Sequence, residues 1–351
     1  MSFKKVQVSD DGVELGYIDS GPVNDSSDYT TIIVIHGLCF SSTIFKRVQA
    51  MAASKNIRFI AVSRRNYPGS TAFTPAELEV MVNGTDEQRD TWMKNRGHEY
   101  AILIDKLIEK YQLPPVASDR KSGGVVLYGW SLGSGEANAT IAHADTLPAS
   151  VRDRLQKYLR ALILHEGPPL VFGLPMPEKN WAPFQIESVP PELKFPMFAQ
   201  WVTGYFDHGN ALATRELNDL SYILPSSFKP GTIYNLTMEE YTSAVCTGQK
   251  EASSEIPYMF GFQSQLHSAY QKALFDPQIK TLFPSLVKAY LSGEKAPAFG
   301  IAAMWAIQDE AEKRGALKSM RFEMVEGINH FPHWEEPERA LDIYLKLASP
   351  L

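Results

Sequence analysis

Cysteine is scarce in this chain: 351 residues hold two, Cys39 and Cys246, far apart in sequence and without C-x-x-C spacing. A disulfide framework or a cysteine zinc site therefore has little support, and both thiols are expected to be reduced and intracellular. Long apolar runs are missing as well, since no stretch approaches the roughly 18 residues a membrane helix needs. The start, Met1-Ser-Phe-Lys-Lys-Val, leads into polar and acidic residues where a secretory segment would be apolar. A cytoplasmic protein that neither spans a membrane nor is exported is the expectation. Positive charge is not in excess either: the net charge is −6, which gives no field for nucleic acid or an anionic membrane surface. A small, fairly apolar partner fits better. Among the eight histidines no H-x-x-x-H pair with an acidic companion occurs, so neither a metal nor another cofactor is expected.

What the chain does have is apolar material: 44% hydrophobic residues with 21% charged can fill one α/β domain carrying a sizeable insertion. Lys4 to Val8 and Val13 to Ile18 read as a hairpin about Asp10-Asp11-Gly12. Thr31 to Ile35, Arg58 to Ser63, Val125 to Tyr128 and Ala161 to Leu164 are short continuous apolar runs with helical spacers between them, the pattern of a parallel sheet covered on both faces. The clearest spacer helix runs from Asp86 to Tyr111, before Pro114-Pro115, and another begins near Ser134. From Pro168 to Pro284 the chain turns rich in proline and aromatics and loses strand alternation. This stretch reads as a mostly helical cap over 170–284, with the core formed by 1–169 and 285–351. Its Trp181 and Trp201, and Trp130 outside it, are candidates for touching a ligand, although most such aromatics would form the cap's own core. The sheet resumes with Leu286 to Ser292, a helix near Ala302 to Arg314, Arg321 to Val325, and a last amphipathic helix from Pro337 to Leu347.

One segment carries chemistry outright. Val125 to Gly135 reads Val-Val-Leu-Tyr-Gly-Trp-Ser-Leu-Gly-Ser-Gly, an apolar run that stops at a serine fenced by Gly129 and Gly133. In a G-x-S-x-G elbow the serine occupies a strained strand-to-helix turn, and the flanking glycines leave room for the bend. Ser131 is thus a candidate nucleophile, and a serine needs a base within reach and an acid to orient that base. His330 follows the run Arg321 to Val325 and the turn Glu326-Gly-Ile-Asn, which suits a base, with His333 as the competing choice. A developing oxyanion needs two backbone donors. The amide of Leu132 is one, and Ile35-His36-Gly37-Leu38 offers the amide of Leu38 as the second, with His36 as a residue of the turn.

In that order along the chain, His36-Gly37, Arg65-Asn-Tyr-Pro-Gly69-Ser, Gly129-Trp-Ser131-Leu-Gly133 and Gly327-Ile-Asn-His330-Phe-Pro-His-Trp-Glu-Glu-Pro resemble the α/β-hydrolase superfamily. The resemblance implies the α/β-hydrolase fold, a mostly parallel sheet flanked by helices with a mainly helical cap, and a serine in place of the aspartate of dehalogenase and epoxide hydrolase branches. It also exposes a departure. Most members carry the acid in a G-x-x-D turn after the strand that follows the cap, whereas here the segment reads Gly293-Glu-Lys-Ala296. One strand earlier, His165-Glu166-Gly167-Pro places a carboxylate just before the cap, similar to fungal lactonases of the zearalenone hydrolase type. The triad expected is Ser131, Glu166 and His330, with Glu294 and Asp309 as alternative acids. The activity expected is cofactor-independent opening of an ester or lactone of a moderately large apolar substrate. Amide or carbon–carbon bond hydrolysis, acyl transfer and a low-turnover ligand receptor are the alternatives, and a homodimer is compatible with such a cap.

Overall fold

The computed structural model describes residues 3–23 and 26–351; Met1, Ser2, Asn24 and Asp25 of the expected core segment lie outside the described residues. Eight strands form one sheet: β1 Lys4–Gln7, β2 Glu14–Asp19, β3 Thr30–Ile35, β4 Ile57–Val62, β5 Val125–Trp130, β6 Leu159–His165, β7 Val287–Gly293 and β8 Met320–Val325. Their order is β1-β2-β4-β3-β5-β6-β7-β8. The β1–β2 and β2–β4 ladders are antiparallel and the rest are parallel. The hairpin closes where expected: the Val8 N–H donates to the Val13 carbonyl at 2.7 Å, and Gly12 takes φ 88°, a region that glycine enters without a Cβ clash.

Strands β3 to β6 are buried along their whole length, which is why they read as continuous β-branched and apolar runs. The chain leaves β3 for β4 on one side and then crosses to β5 on the other, so the order reverses beside β3. In open α/β sheets the crevice beyond the strands' carboxyl ends at such a reversal is where ligands bind. The turns after β3 and β5, Ile35-His36-Gly37-Leu38 and the Ser131 elbow, both open there.

The helix Asp86–Tyr111 has the extent expected, opened by a Thr85–Gln88 capping box and closed by Gln112 in the left-handed region. The helix Gly133–Ala142 is buried at every position, and its glycines and alanines let it pack directly beneath the sheet. The helix after β7 begins at Ala298, four residues before the expected Ala302, because Pro297 supplies its N-terminal boundary. Ala149–Tyr158 was not foreseen as a distinct element: Leu155 is its one buried residue, and its short apolar face is completed by Val151 and Tyr158, which are only partly buried.

Between β6 and β7 the described residues form helices, including Pro191–Val202, Met238–Ala244, Gln249–Gly261 and Gln263–Phe275. Many aromatics of this insertion pack on one another: Phe184 lies over Phe198 at 4.8 Å, and Trp201 meets Phe206 at 5.3 Å. Others pack downward, as Phe262 does on Trp92 of the core at 4.9 Å. A buried ion-pair network fastens the insertion to the core. Arg64, just past β4, donates to Glu136 of the helix behind the elbow at 2.9 Å and to Glu255 of Gln249–Gly261 at 2.8 Å. The two cysteines, distant in sequence, meet along the same seam, where the Cys246 N–H donates to the Cys39 carbonyl at 2.8 Å. Both thiols are free, and burial pushes that of Cys39 well above its ordinary pKa. Among the described residues no helix is long and apolar enough to cross a membrane.

Candidate active site

Ser131 sits at the end of β5 with φ 55°, so the elbow holds a non-glycine residue in the left-handed region, a strain sustained only by surrounding contacts. Those contacts are visible. The Ser131 N–H donates to the His165 carbonyl at 2.7 Å, and the Ser134 N–H donates back to the Ser131 carbonyl at 3.0 Å. A Cβ on Gly133 would lie 2.3 Å from the Ile35 carbonyl oxygen, and one on Gly129 would lie 2.7 Å from the Ser134 Cα. Both places therefore require glycine.

The turn after β3 comes just as near. A Cβ on Gly37 would lie 2.7 Å from the Ser131 Cβ and 3.2 Å from its Oγ. This approach brings the Leu38 and Leu132 backbones to the same cavity wall as the serine. Neither amide is committed to another acceptor among the described residues, which leaves two N–H donors for a developing oxyanion. His36 serves the turn: its Nδ1–H donates to the Gly37 carbonyl at 2.9 Å and its Nε2 accepts the Arg64 N–H at 3.0 Å. Burial, reinforced by the Arg64 charge, lowers its pKa to about 3, so the ring stays neutral and takes no part in proton transfer. Gly37→Ala should fold yet lose about 10²-fold in kcat, because the new methyl must displace the nucleophile; steady-state kinetics beside a thermal melt would check both halves.

His330 donates from Nδ1 to Glu166 Oε2, and the same carboxylate accepts the Gly293 N–H on Oε1. Glu166 follows β6 with φ 49°, and its side chain reaches the carboxyl end of β7, where Gly293 lies. The acid thus comes from the strand before the insertion, yet its carboxylate lands at the carboxyl end of the strand after it. Burial alone would push its carboxyl up, but the His165 and His330 rings outweigh that and hold it at about 2. Burial pulls the His330 imidazole below its ordinary value, partly offset by Glu166. With Nδ1 engaged as donor, Nε2 carries the lone pair a general base needs. Ser131 Oγ has no hydrogen-bond partner among the described residues, and proton transfer to His330 requires the two groups to come within about 3 Å of each other when substrate binds.

Trp130 is not on the cavity wall. It is 1% exposed, its indole N–H donates to the His330 carbonyl at 3.1 Å, and its ring lies 5.0 Å from the imidazole. The indole is spent on positioning the His330 loop. Trp181 does line the cavity, whereas Trp201 stands behind it at 5.9 Å with its N–H on the Ile223 carbonyl at 2.8 Å. His333 packs between Phe45 and Trp130, away from the cavity. Glu294 accepts the Gly327 N–H at 2.9 Å, and Asp309 pairs with Arg215 at the surface. Neither meets His330.

Sequence reasoning missed Phe299, whose ring stands 5.7 Å from His330 edge-on and lines the cavity. It also missed His165, although a histidine closing an apolar strand beside the proposed acid was a readable signal. The cavity above Ser131 measures about 300 Å³ and is walled mainly by Leu38, Leu170, Met176, Trp181, Phe198 and Phe299. Among the described residues no group of three or more metal-ligating side chains occurs.

The Alpha/beta hydrolase family model matches residues 32–343, and the chain belongs to that family. No curated protein matches it in sequence. Among solved structures it is similar to a bromoperoxidase from Bacillus anthracis at 16% identity and TM-score 0.50, over 98% of this chain and 100% of that one. It is also similar to an esterase from Exiguobacterium antarcticum at 14% identity and TM-score 0.49, over 98% of each chain. An epoxide hydrolase from Vigna radiata matches at 13% identity and TM-score 0.46, over 98% of this chain and 96% of that one. Their activities differ, and likeness at such identity speaks for the fold alone.

Proposed function

We propose that this protein is a serine hydrolase that opens an ester or lactone of a moderately large apolar substrate through an acyl-enzyme. One observation carries the reading: the uncommitted amides of Leu38 and Leu132 flank Ser131 on the wall of an apolar cavity, with a Glu166-bound imidazole behind. Ser131 Oγ attacks the carbonyl while His330 Nε2 takes its proton, and the oxyanion that forms is met by the two amides. His330, now charged, is supported by Glu166 and returns the proton to the departing alkoxide. Water, activated by the same nitrogen, then releases the acyl group.

The β6–β7 insertion acts in this scheme as a cap. It supplies Met176, Trp181 and Phe198 to the cavity, and its apolar wall favours a neutral acyl group over a charged one. A lactone is favoured by the acid's position before the cap, the trait shared with the fungal lactonases. The test is a serine-directed aryl phosphonate read by intact mass. One adduct per chain, mapped to Ser131 and lost in Ser131→Ala together with hydrolysis of p-nitrophenyl esters, is the result expected. An unmodified serine in an otherwise active protein would overturn the reading.

A further inference from the structure

Resting on that reading of Ser131, Glu166 and His330, we infer that His165 is a positioning residue whose ring pins the Glu166 carboxylate in register with His330, while its backbone pins the elbow. The same residue holds both ends of the site. Its carbonyl accepts the Ser131 N–H at 2.7 Å. Its ring, fully buried, has Nδ1 2.6 Å from the Tyr128 hydroxyl and Nε2 3.5 Å from Glu166 Oε1.

The tautomer follows from these neighbours. A buried Nε2 lone pair aimed at a carboxylate would be repulsive with no water to intervene, so Nε2 carries the hydrogen and Nδ1 accepts from Tyr128. Nε2 makes no hydrogen bond among the described residues, and Oε1 at 3.5 Å is the charged group it faces, a long electrostatic contact. The remaining groups around the ring are His330 at 6.0 Å, His333 beyond it, and Tyr344, whose ring lies tilted against Tyr128 at 4.7 Å. Tyr290, from β7, spends its hydroxyl on the Gly167 and Gly300 carbonyls.

The need for such a pin comes from the acid's origin. Its stem is held by the left-handed backbone and by Gly300, where a Cβ would come within 2.9 Å of the Glu166 Cγ. Rotation of the carboxylate about its last bond is the freedom left. Gly293 and His165 on Oε1 oppose that rotation and leave Oε2 for His330.

The experiment compares His165→Phe, which keeps a ring and loses both nitrogens, with His165→Gln, which restores one donor, and with Tyr128→Phe, which frees the tautomer. Turnover of p-nitrophenyl esters and the rate of Ser131 phosphonylation are followed against pH. For His165→Phe the expectation is a kcat lower by ~10- to 100-fold with KM unchanged, since misalignment acts on the proton relay and not on binding. The acidic limb of the profile should move to higher pH, because a carboxylate relieved of one donor holds the His330 proton more tightly. Tyr128→Phe should move in the same direction by less, and His165→Gln should recover most of the loss. An unmoved acidic limb in both His165→Phe and Tyr128→Phe, or equal losses in the Phe and Gln variants, would overturn the inference even if activity fell. A wild-type protein that takes no phosphonate on Ser131 would instead overturn the hydrolase reading, and this inference with it.

Discussion

Glu166→Gln will lower kcat by about 10⁴-fold with little change in KM, the scale on which losing the orienting acid of a triad acts. The carboxylate accepts the His330 Nδ1–H, whereas an amide can turn its NH2 toward that nitrogen and drive the ring to the tautomer with hydrogen on Nε2. In that tautomer the imidazole cannot take the serine's proton. Glu166 also supports the charged ring: burial lowers the His330 pKa and the carboxylate raises it again. Activity requires neutral His330, so the acidic limb of kcat/KM in the native protein falls below the ordinary histidine value of about 6.5. Removing the carboxylate moves that limb to still lower pH, opposite to the direction expected for His165→Phe. Glu294→Gln and Asp309→Asn should stay within about tenfold of native kcat, since neither carboxylate reaches the imidazole. Native turnover in Glu166→Gln, or collapse in either of the others, would return the acid to one of them.

The legible parts of this site are those whose chemistry and backbone demands coincide in a short window. Ser131 between Gly129 and Gly133 is one: the clashes that force both glycines, with the Ser134 Cα and the Ile35 carbonyl, are the reason the pattern exists. Buried strands were equally plain, because a run covered on both faces admits almost nothing polar. The acid was harder. Glu166 announces itself by what is missing after β7, and its reach to Gly293 depends on a left-handed residue that no periodicity reveals. The insertion's aromatics stayed ambiguous because cavity wall and core use the same side chains. Trp181 lines the cavity and Trp201 backs it, 5.9 Å apart and indistinguishable by composition. Arg64 was invisible for a different reason: its partners Glu136 and Glu255 are far away in sequence, and an arginine next to an arginine reads as surface.

That arginine sets the second large effect. Arg64→Met should destabilise the protein by about 3–5 kcal/mol, the usual result of removing one partner from a buried ionic cluster. Arg64, Glu136 and Glu255 are all nearly fully buried, and Tyr100 adds a hydrogen bond to Glu136 at 2.7 Å. Without the guanidinium, two carboxylates remain in a space with little water, at the seam where Gln249–Gly261 docks on the core. Burial already raises the Glu255 pKa, and losing the Arg64 charge that opposes it raises it further. The native state then binds more protons than the unfolded chain between the unfolded and folded pKa values, so stability falls as pH rises through that window and recovers toward acid. Urea denaturation at several pH values should therefore show the deficit largest near neutrality. Glu255→Gln in the Arg64→Met background should restore part of it by removing one stranded charge. Hydrogen exchange should quicken first in the helix Gln249–Gly261 while β3 and β5 stay protected. A pH-independent deficit spread evenly over the molecule would mean that Arg64 acts by packing alone, and that the insertion is held to the core by its apolar contacts.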